Sequence, residues 1–203
     1  MAFENLKTDN KIKDQGDYLG GVQVFDSATY PMKINLAYQG LSRKGANSLN
    51  ITFKAEDGRE LRHTFWVTGG KEKGQNNFYL NKKTGEKQYL PGFMQANSLS
   101  LLAAGKELSD LITEDKVIKI YDFDAKKEIP TTVPVFTELL DQSVILGLIK
   151  QVVDKNKKGD DGEYHPTGET REENDVDKIF RASDGLTVTE IKAGADHPVF
   201  KER

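Results

Sequence analysis

Residues 30–68, YPMKINLAYQGLSRKGANSLNITFKAEDGRELRHTFWVT, decide the fold. Three runs inside this stretch alternate apolar and polar residues with a period of two, the repeat of a strand with one buried face. From Tyr30 to Gln39, the residues Tyr30, Met32, Ile34, Leu36 and Tyr38 fall on one face, with Lys33 and Asn35 on the other. From Ser48 to Ala55, Leu49, Ile51, Phe53 and Ala55 point inward while Asn50, Thr52 and Lys54 point outward. From Arg59 to Thr68, Leu61, His63, Phe65 and Val67 share the core face, and Glu60, Arg62, Thr64 and Trp66 the opposite one. The joints suit tight reversals. Ser42–Asn47 reads as a hairpin loop carrying Arg43 and Lys44, and Glu56-Asp57-Gly58 is a hairpin turn signal. The three runs predict an antiparallel meander.

Working outward, the stretch Gly69–Gly92 is too long and polar for a plain connection, which marks it as a functional loop. Its middle, NFYLNKKTGEKQYL, has the makings of a small hairpin with Lys82-Lys83-Thr84-Gly85 at the tip. Phe93–Ala104 has helical apolar spacing and Gly105 as a C-cap. A helical turn at Lys106–Leu111, strands at Val117–Phe123 and Thr131–Phe136, and a covering segment at Glu138–Leu140 follow. Ser143–Asp154 reads as a strongly apolar strand with Gly147 at a bend. Residues 155–177 hold eight acids against four basic residues, together with Gly159, Gly162, Pro166 and Gly168, which predicts an exposed loop. A strand at Asp177–Arg181 and a short helix at Thr187–Ala193 close the series, the helix opened by the capping-box pair Thr187 and Glu190. Residues 1–22 read as an N-terminal arm ending in Gly20-Gly21, and residues 23–203 as a single domain with extended loops at 69–92 and 155–177.

Three strands, a helix, then further strands is the order of the OB-fold, an antiparallel Greek-key barrel whose helix lies between strands three and four. The expected class is therefore mainly β and OB-fold-like, with a two-layer antiparallel sandwich as the competing architecture.

Composition narrows the chemistry. The chain has no cysteine, so disulfides, thiolate zinc sites and a cysteine nucleophile are excluded within these 203 residues. No apolar run approaches the ~20 residues that span a membrane. The start MAFENLKTDN lacks the basic and apolar regions of a signal peptide, so a cytoplasmic location and no membrane partner are expected. The formal net charge is −3. Against that trend, residues 62–93 carry six basic residues and two acids.

This local reversal, interleaved with aromatic rings, suits single-stranded nucleic acid: cations meet phosphates and rings stack on bases. Trp66 lies on the outward face with Arg62 and Lys54, and the alternative for it is burial under a folded-over loop. Phe78, Tyr79 and Tyr89 occupy a polar loop flanked by Lys71, Lys73, Lys82, Lys83 and Lys87, where rings have no automatic core role. Their alternative is a hairpin pinned by its own aromatic cluster. Lys33, Arg43 and Lys44 complete the candidate DNA-binding set, whose weight comes from the group. The acids Asp160, Asp161, Glu163, Glu172, Glu173 and Asp175 lie in a turn-rich stretch without calcium-loop spacing, where a solvated face is the simpler reading. His63 falls on a core face, while His165 and His197 lack partner spacing. GGKEKG lacks the phosphate-loop pattern, and neither GxSxG nor HExxH occurs. No catalytic residue, metal or cofactor is expected. The rivals to a DNA-binding protein are a metal-dependent nuclease and a protein-interaction or virion module.

GGKEKGQNNFYLNKKTGEKQYLPGF (69–93), ANSLSLLAAGKELS (96–109) and IKQVVDKN…PTGETREENDVDKIF (149–180) resemble the single-stranded DNA-binding proteins of tailed bacteriophages. The likeness runs from about Phe3 to Ala195 and is a general pattern without a diagnostic motif. It implies an OB-fold and a sequence-tolerant role in phage DNA replication and recombination in the host cytoplasm, with single-stranded DNA and phage replication proteins as partners. A homodimer is left open. Many such proteins recruit partners through an acidic tail, which HPVFKER (197–203) is not. Either a tail is missing or another surface serves, with the acidic stretch Asp160–Asp177 as the candidate.

Overall fold

A computed structural model describes residues 24–122, 125–159 and 164–202. The expected arm at 1–22 lies outside them. Strands β1 (Ala28–Leu41), β2 (Asn47–Ala55) and β3 (Glu60–Trp66) form the predicted antiparallel meander. Its second turn closes as the sequence suggests, with Gly58 at φ +89° donating to the Ala55 carbonyl at 3.0 Å. Asp57 Oδ1 accepts the Arg59 amide at 3.0 Å.

One phase assignment in β1 is corrected. The β1–β2 register shifts between Ile34 and Leu36, and the extra residue of this irregularity reverses the alternation. Met32 and Ile34 are buried as expected, but Ala37 then takes the inward position. Leu36 and Tyr38 are thereby turned toward the outer face, opposite Thr52 and Asn50. β1 also forks. Ala28–Lys33 pair with β8 (Ser143–Lys158), while Tyr38 pairs with β7 (Lys127–Phe136). β6 (Thr113–Asp122) lies outside β7, and β9 (Tyr164–Arg181) pairs with β8 to complete a seven-stranded antiparallel sheet.

The sheet is not closed into the expected barrel. Among the described residues no ladder joins β3 to β9. The space beside them is occupied by the segment at Phe25, whose amide donates to Asn174 Oδ1 (2.8 Å) and whose carbonyl accepts from Asn174 Nδ2 (2.7 Å). The Arg59 guanidinium covers the Phe25 ring at 4.0 Å. Phe25, Phe53 and Phe65 are fully buried in one core with Ile34, Leu49, Ile51 and Leu146. Truncating any of these phenylalanines to alanine costs on the order of 3–5 kcal/mol.

Residues 69–90 are folded rather than a plain loop. They contain a 3-10 turn at Lys71–Lys73 and a small separate hairpin of β4 (Phe78–Leu80) and β5 (Lys87–Tyr89). Helix α1 (Pro91–Ala104) follows, two residues earlier than its apolar spacing suggests because Pro91 suits the first turn. It ends at Gly105 (φ +71°), whose amide donates to the Leu101 carbonyl. Ala96, Leu99, Ser100 and Leu102 face the core, and α1 packs against β3, β8 and β9.

The predicted loop at 155–177 is corrected more sharply. Most of it is paired strand, the outer half of the β8–β9 ribbon. A ribbon that buries neither face needs no apolar repeat, which removes the sequence signal on which strand prediction depends. Opposite charges across the ladder support it instead: Lys150–Glu172 at 3.0 Å and Lys155–Glu169 at 3.1 Å. Asp160, Asp161 and Glu163 lie outside the described residues. Beyond β9, α2 (Val188–Lys192) carries the predicted capping box, Thr187 Oγ1 accepting from the Glu190 amide at 3.2 Å. The Glu190 carboxylate also accepts from the amides of Val199 (2.7 Å) and Phe200 (3.0 Å), fastening the following segment.

Candidate nucleic-acid interface

At one end of the meander, two backbone segments interlock and gather positive charge. The β1–β2 turn closes through Gly45 N donating to the Ser42 carbonyl (2.8 Å) and Ala46 N donating to Ser42 Oγ (2.9 Å). The Lys71 amide then donates to the Lys44 carbonyl (2.8 Å), and Gln75 Nε2 to the Gly45 carbonyl (2.6 Å). Gly70 permits this approach, since a Cβ there would stand 2.8 Å from the Lys44 carbonyl oxygen. Arg43, Lys44, Lys71 and Lys73 thus surround one open cavity of about 640 Å³, whose wall includes Trp66, Thr68 and a single acid, Glu72. Lys44, Lys71 and Lys73 form no ion pair among the described residues.

Trp66 is the hinge of the geometry. Its side chain is 49% exposed, so no loop buries it. Its backbone is held on two sides, by β2 opposite Ser48 and by the start of α1. A Cβ on Gly92 would meet the Trp66 carbonyl oxygen at 2.4 Å, so only glycine allows the helix to sit there. Beyond Trp66 opens a second hollow of about 550 Å³, lined by Lys73, Phe78, Tyr79, Leu80 and Pro91 among others. Trp66, Thr68, Gly69 and Lys73 border both cavities. The first is basic and the second aromatic. The two adjoin at a shared rim formed by Trp66 and its neighbours.

The other predicted rings divide. Phe78 and Tyr89 stand opposite each other across the β4–β5 ladder, and Tyr79 projects from the other face. Lys87 Nζ lies 4.6 Å from the Phe78 ring centroid, and Tyr89 packs against Phe93 at 5.3 Å. Both are partly spent on local packing, in keeping with the pinned-hairpin alternative. Tyr79 is 45% exposed, with its hydroxyl bonded to Gln88 Oε1 at 2.8 Å. Lys82 and Lys83 stand exposed at the hairpin tip, where Asn81 Oδ1 accepts the Lys83 amide at 2.9 Å.

Three predicted cations are placed elsewhere. Lys54 is six residues along β2 from Ser48, the partner of Trp66, a separation of about 20 Å. It lines a different hollow with Lys33, which pairs with Asp141 at 2.9 Å. Arg62 is exposed on the outer face, but borders the β3–β9 gap beside Glu60, Glu172 and Glu173. The shared outward phase of these residues with Trp66 carries no information on distance along the strand.

The structure also adds residues. Tyr38 reaches the outer face through the β1 irregularity but lines neither cavity; burial raises its hydroxyl pKa, and the charge of Arg62 opposes that rise. Ser42 and Thr68 supply hydroxyls around the basic cavity, and Leu41 is exposed beside that turn. The polar turn composition around Ser42 and Thr68 was the available signal. Nothing in the alternation marked Tyr38. His63 lies half-buried against Phe65 (4.4 Å), and burial lowers its pKa, as suits a core-facing imidazole. Among the described residues no three histidine, aspartate or glutamate side chains converge as a metal site would require. Glu172 and Glu173 are engaged by Lys150 and Arg171. No protein-family model matches the chain, and no curated protein matches it.

Proposed function

We propose that this chain is a sequence-tolerant single-stranded DNA-binding protein, and that the groove across Trp66 is its binding surface. The observation that carries this reading is the junction of a four-cation cavity with an aromatic hollow at one exposed tryptophan. Phosphates lie along Arg43, Lys44, Lys71 and Lys73. One base stacks on Trp66 and another on Tyr79, each contact supplying ~1–3 kcal/mol. Lys82 and Lys83 extend the positive path beyond the aromatic hollow. Among the described residues the cavity walls are mainly cations, rings and the hydroxyls of Ser42 and Thr68, which favours contacts to phosphates and base faces over base edges, so sequence preference is slight.

The OB-like reading belongs to the same proposal. β1, β2, β3, α1, β8 and β9 supply its strands and helix, β4–β5 and β6–β7 are insertions, and the Phe25 segment stands where β3 and β9 would meet. The resemblance to phage single-stranded DNA-binding proteins supports this assignment and a role in phage DNA replication or recombination within the host cytoplasm.

Anisotropy of a labelled oligo-dT tests the reading, with a duplex of equal length as competitor. If each of the four cations neutralises one phosphate, log K falls against log salt with a slope of about −3. Binding that is salt-independent, or equally strong for duplex, contradicts the proposal.

A further inference from the structure

Among the described residues, β6 lies at an end of the sheet order with a strand ladder on one side only, a surface distant in kind from the groove. β6 is an edge strand of ten residues whose ladder with β7 runs from Thr113↔Phe136 to Asp122↔Lys127 without a register shift. Natural edges of this length are ordinarily blunted by charged side chains, prolines, bulges or coverage; β6 has charges of both signs, Glu114, Asp115, Lys116, Lys119 and Asp122, which a partner strand of matching pattern can satisfy. β7 carries Pro130 and Pro134; β6 carries no proline. Proline has no N–H to give, so the positions of Pro130 and Pro134 are ones that do not donate to β6. Their partners are Lys119 and Asp115, with Val117 between. In an antiparallel ladder such residues direct their own N–H and C=O groups to the opposite side. Asp115, Val117 and Lys119 therefore present main-chain donors and acceptors to the free edge. Their side chains are exposed, Val117 at 67%.

We propose that this edge pairs with the same edge of a second copy, β6 against β6 in antiparallel register with Val117 on the two-fold axis. The sequence of the strand selects both partner and register. A two-fold normal to the sheet keeps each residue on its own face, so the axis must pass through a residue. An axis at Asp115, Lys116 or Lys119 sets that charge against itself, one at Ile118 sets Glu114 against Asp122, and one at Ile120 overlaps only Ile118–Asp122 of each strand. At Val117 no like charges meet. Asp115 then faces Lys119 of the other copy twice, Val117 meets Val117, and Thr113 meets Tyr121. Opposite charges directly across a ladder stabilise it and like charges destabilise it. The result is one sheet running β7–β6–β6–β7 through the dimer, an added-strand mode of association. It does not depend on the nucleic-acid reading.

Sedimentation velocity of the full chain across the micromolar range, without DNA, tests it. The wild type is expected to shift from monomer to dimer as concentration rises. Lys119→Asp places two acids face to face, and Asp115→Lys two lysines; each should weaken self-association roughly tenfold or more. The exchanged variant Asp115→Lys/Lys119→Asp should recover it. So should an equimolar mixture of the two single variants, which restores both pairs in a heterodimer. A wild type that stays monomeric overturns the proposal. So do single variants that dimerise like the wild type, or an exchanged variant and mixture that fail to recover.

Discussion

The groove end and the β8–β9 ribbon are both rich in charge, and they use it in opposite ways. In the ribbon, cations meet acids: Lys150 with Glu172, Lys155 with Glu169, Arg171 with Glu173. At the groove, Lys44, Lys71 and Lys73 converge around a cavity that Glu72 also lines, yet none of the three forms an ion pair among the described residues, and backbone hydrogen bonds between two turns hold them there. Charge that is neutralised within the molecule supports local structure. Charge that is gathered and left unmatched invites an external anion. Local net charge alone does not separate these cases, since the ribbon's residual acidity coexists with paired side chains.

The largest expected effect breaks the comparison at its basic pole. Reversing Lys71 and Lys73 to glutamate should lower affinity for oligo-dT by more than about 100-fold at low salt. The matching reversal of Lys150 and Lys155 on the ribbon should leave affinity within about twofold, both read by anisotropy. If both pairs matter equally, the distinction fails. Next comes Trp66→Ala, which should weaken binding about 5- to 100-fold through the lost stack, with far-UV circular dichroism unchanged because the ring is half exposed. Gly92→Ala acts by geometry alone: its methyl cannot coexist with the Trp66 carbonyl, so affinity and Tm should fall together.

The meander was legible because alternation over three short runs encodes burial directly, and Leu49, Ile51, Phe53 and Phe65 are where it put them. The ribbon was not, since strands that bury nothing carry no alternation. The same limit explains Tyr38, whose phase depends on an extra residue that leaves no mark in composition. For the groove, Trp66, the turn lysines and Tyr79 were readable from residue type and spacing. Lys33, Lys54 and Arg62 lie away from Trp66, since a shared face of a strand does not imply proximity along it. The contact between Lys71 and the Lys44 carbonyl joins segments 27 residues apart and has no local signature.

Two smaller effects sharpen the structural side. Glu190 accepts four hydrogen bonds, the Thr187 amide foremost among the causes that lower its carboxyl pKa. A lowered folded-state value means its stabilisation is present above the unfolded carboxylate pKa and is lost as pH falls through the folded one. Glu190→Gln should therefore reduce Tm at neutral pH, with the gap to wild type narrowing in acid; a constant gap would contradict the ionised clasp. Smallest is Glu169→Gln, which removes one exposed pair from the ribbon and should move Tm by no more than about 2 °C.

The central claim is that a base lies against Trp66, and its fluorescence is the direct reporter because it is the chain's one tryptophan. Titration with oligo-dT should quench that emission saturably, and added salt should reverse the quenching along the same steep dependence as the affinity. Emission unchanged at saturating oligonucleotide, with binding shown independently by anisotropy, would place the DNA elsewhere and refute the groove.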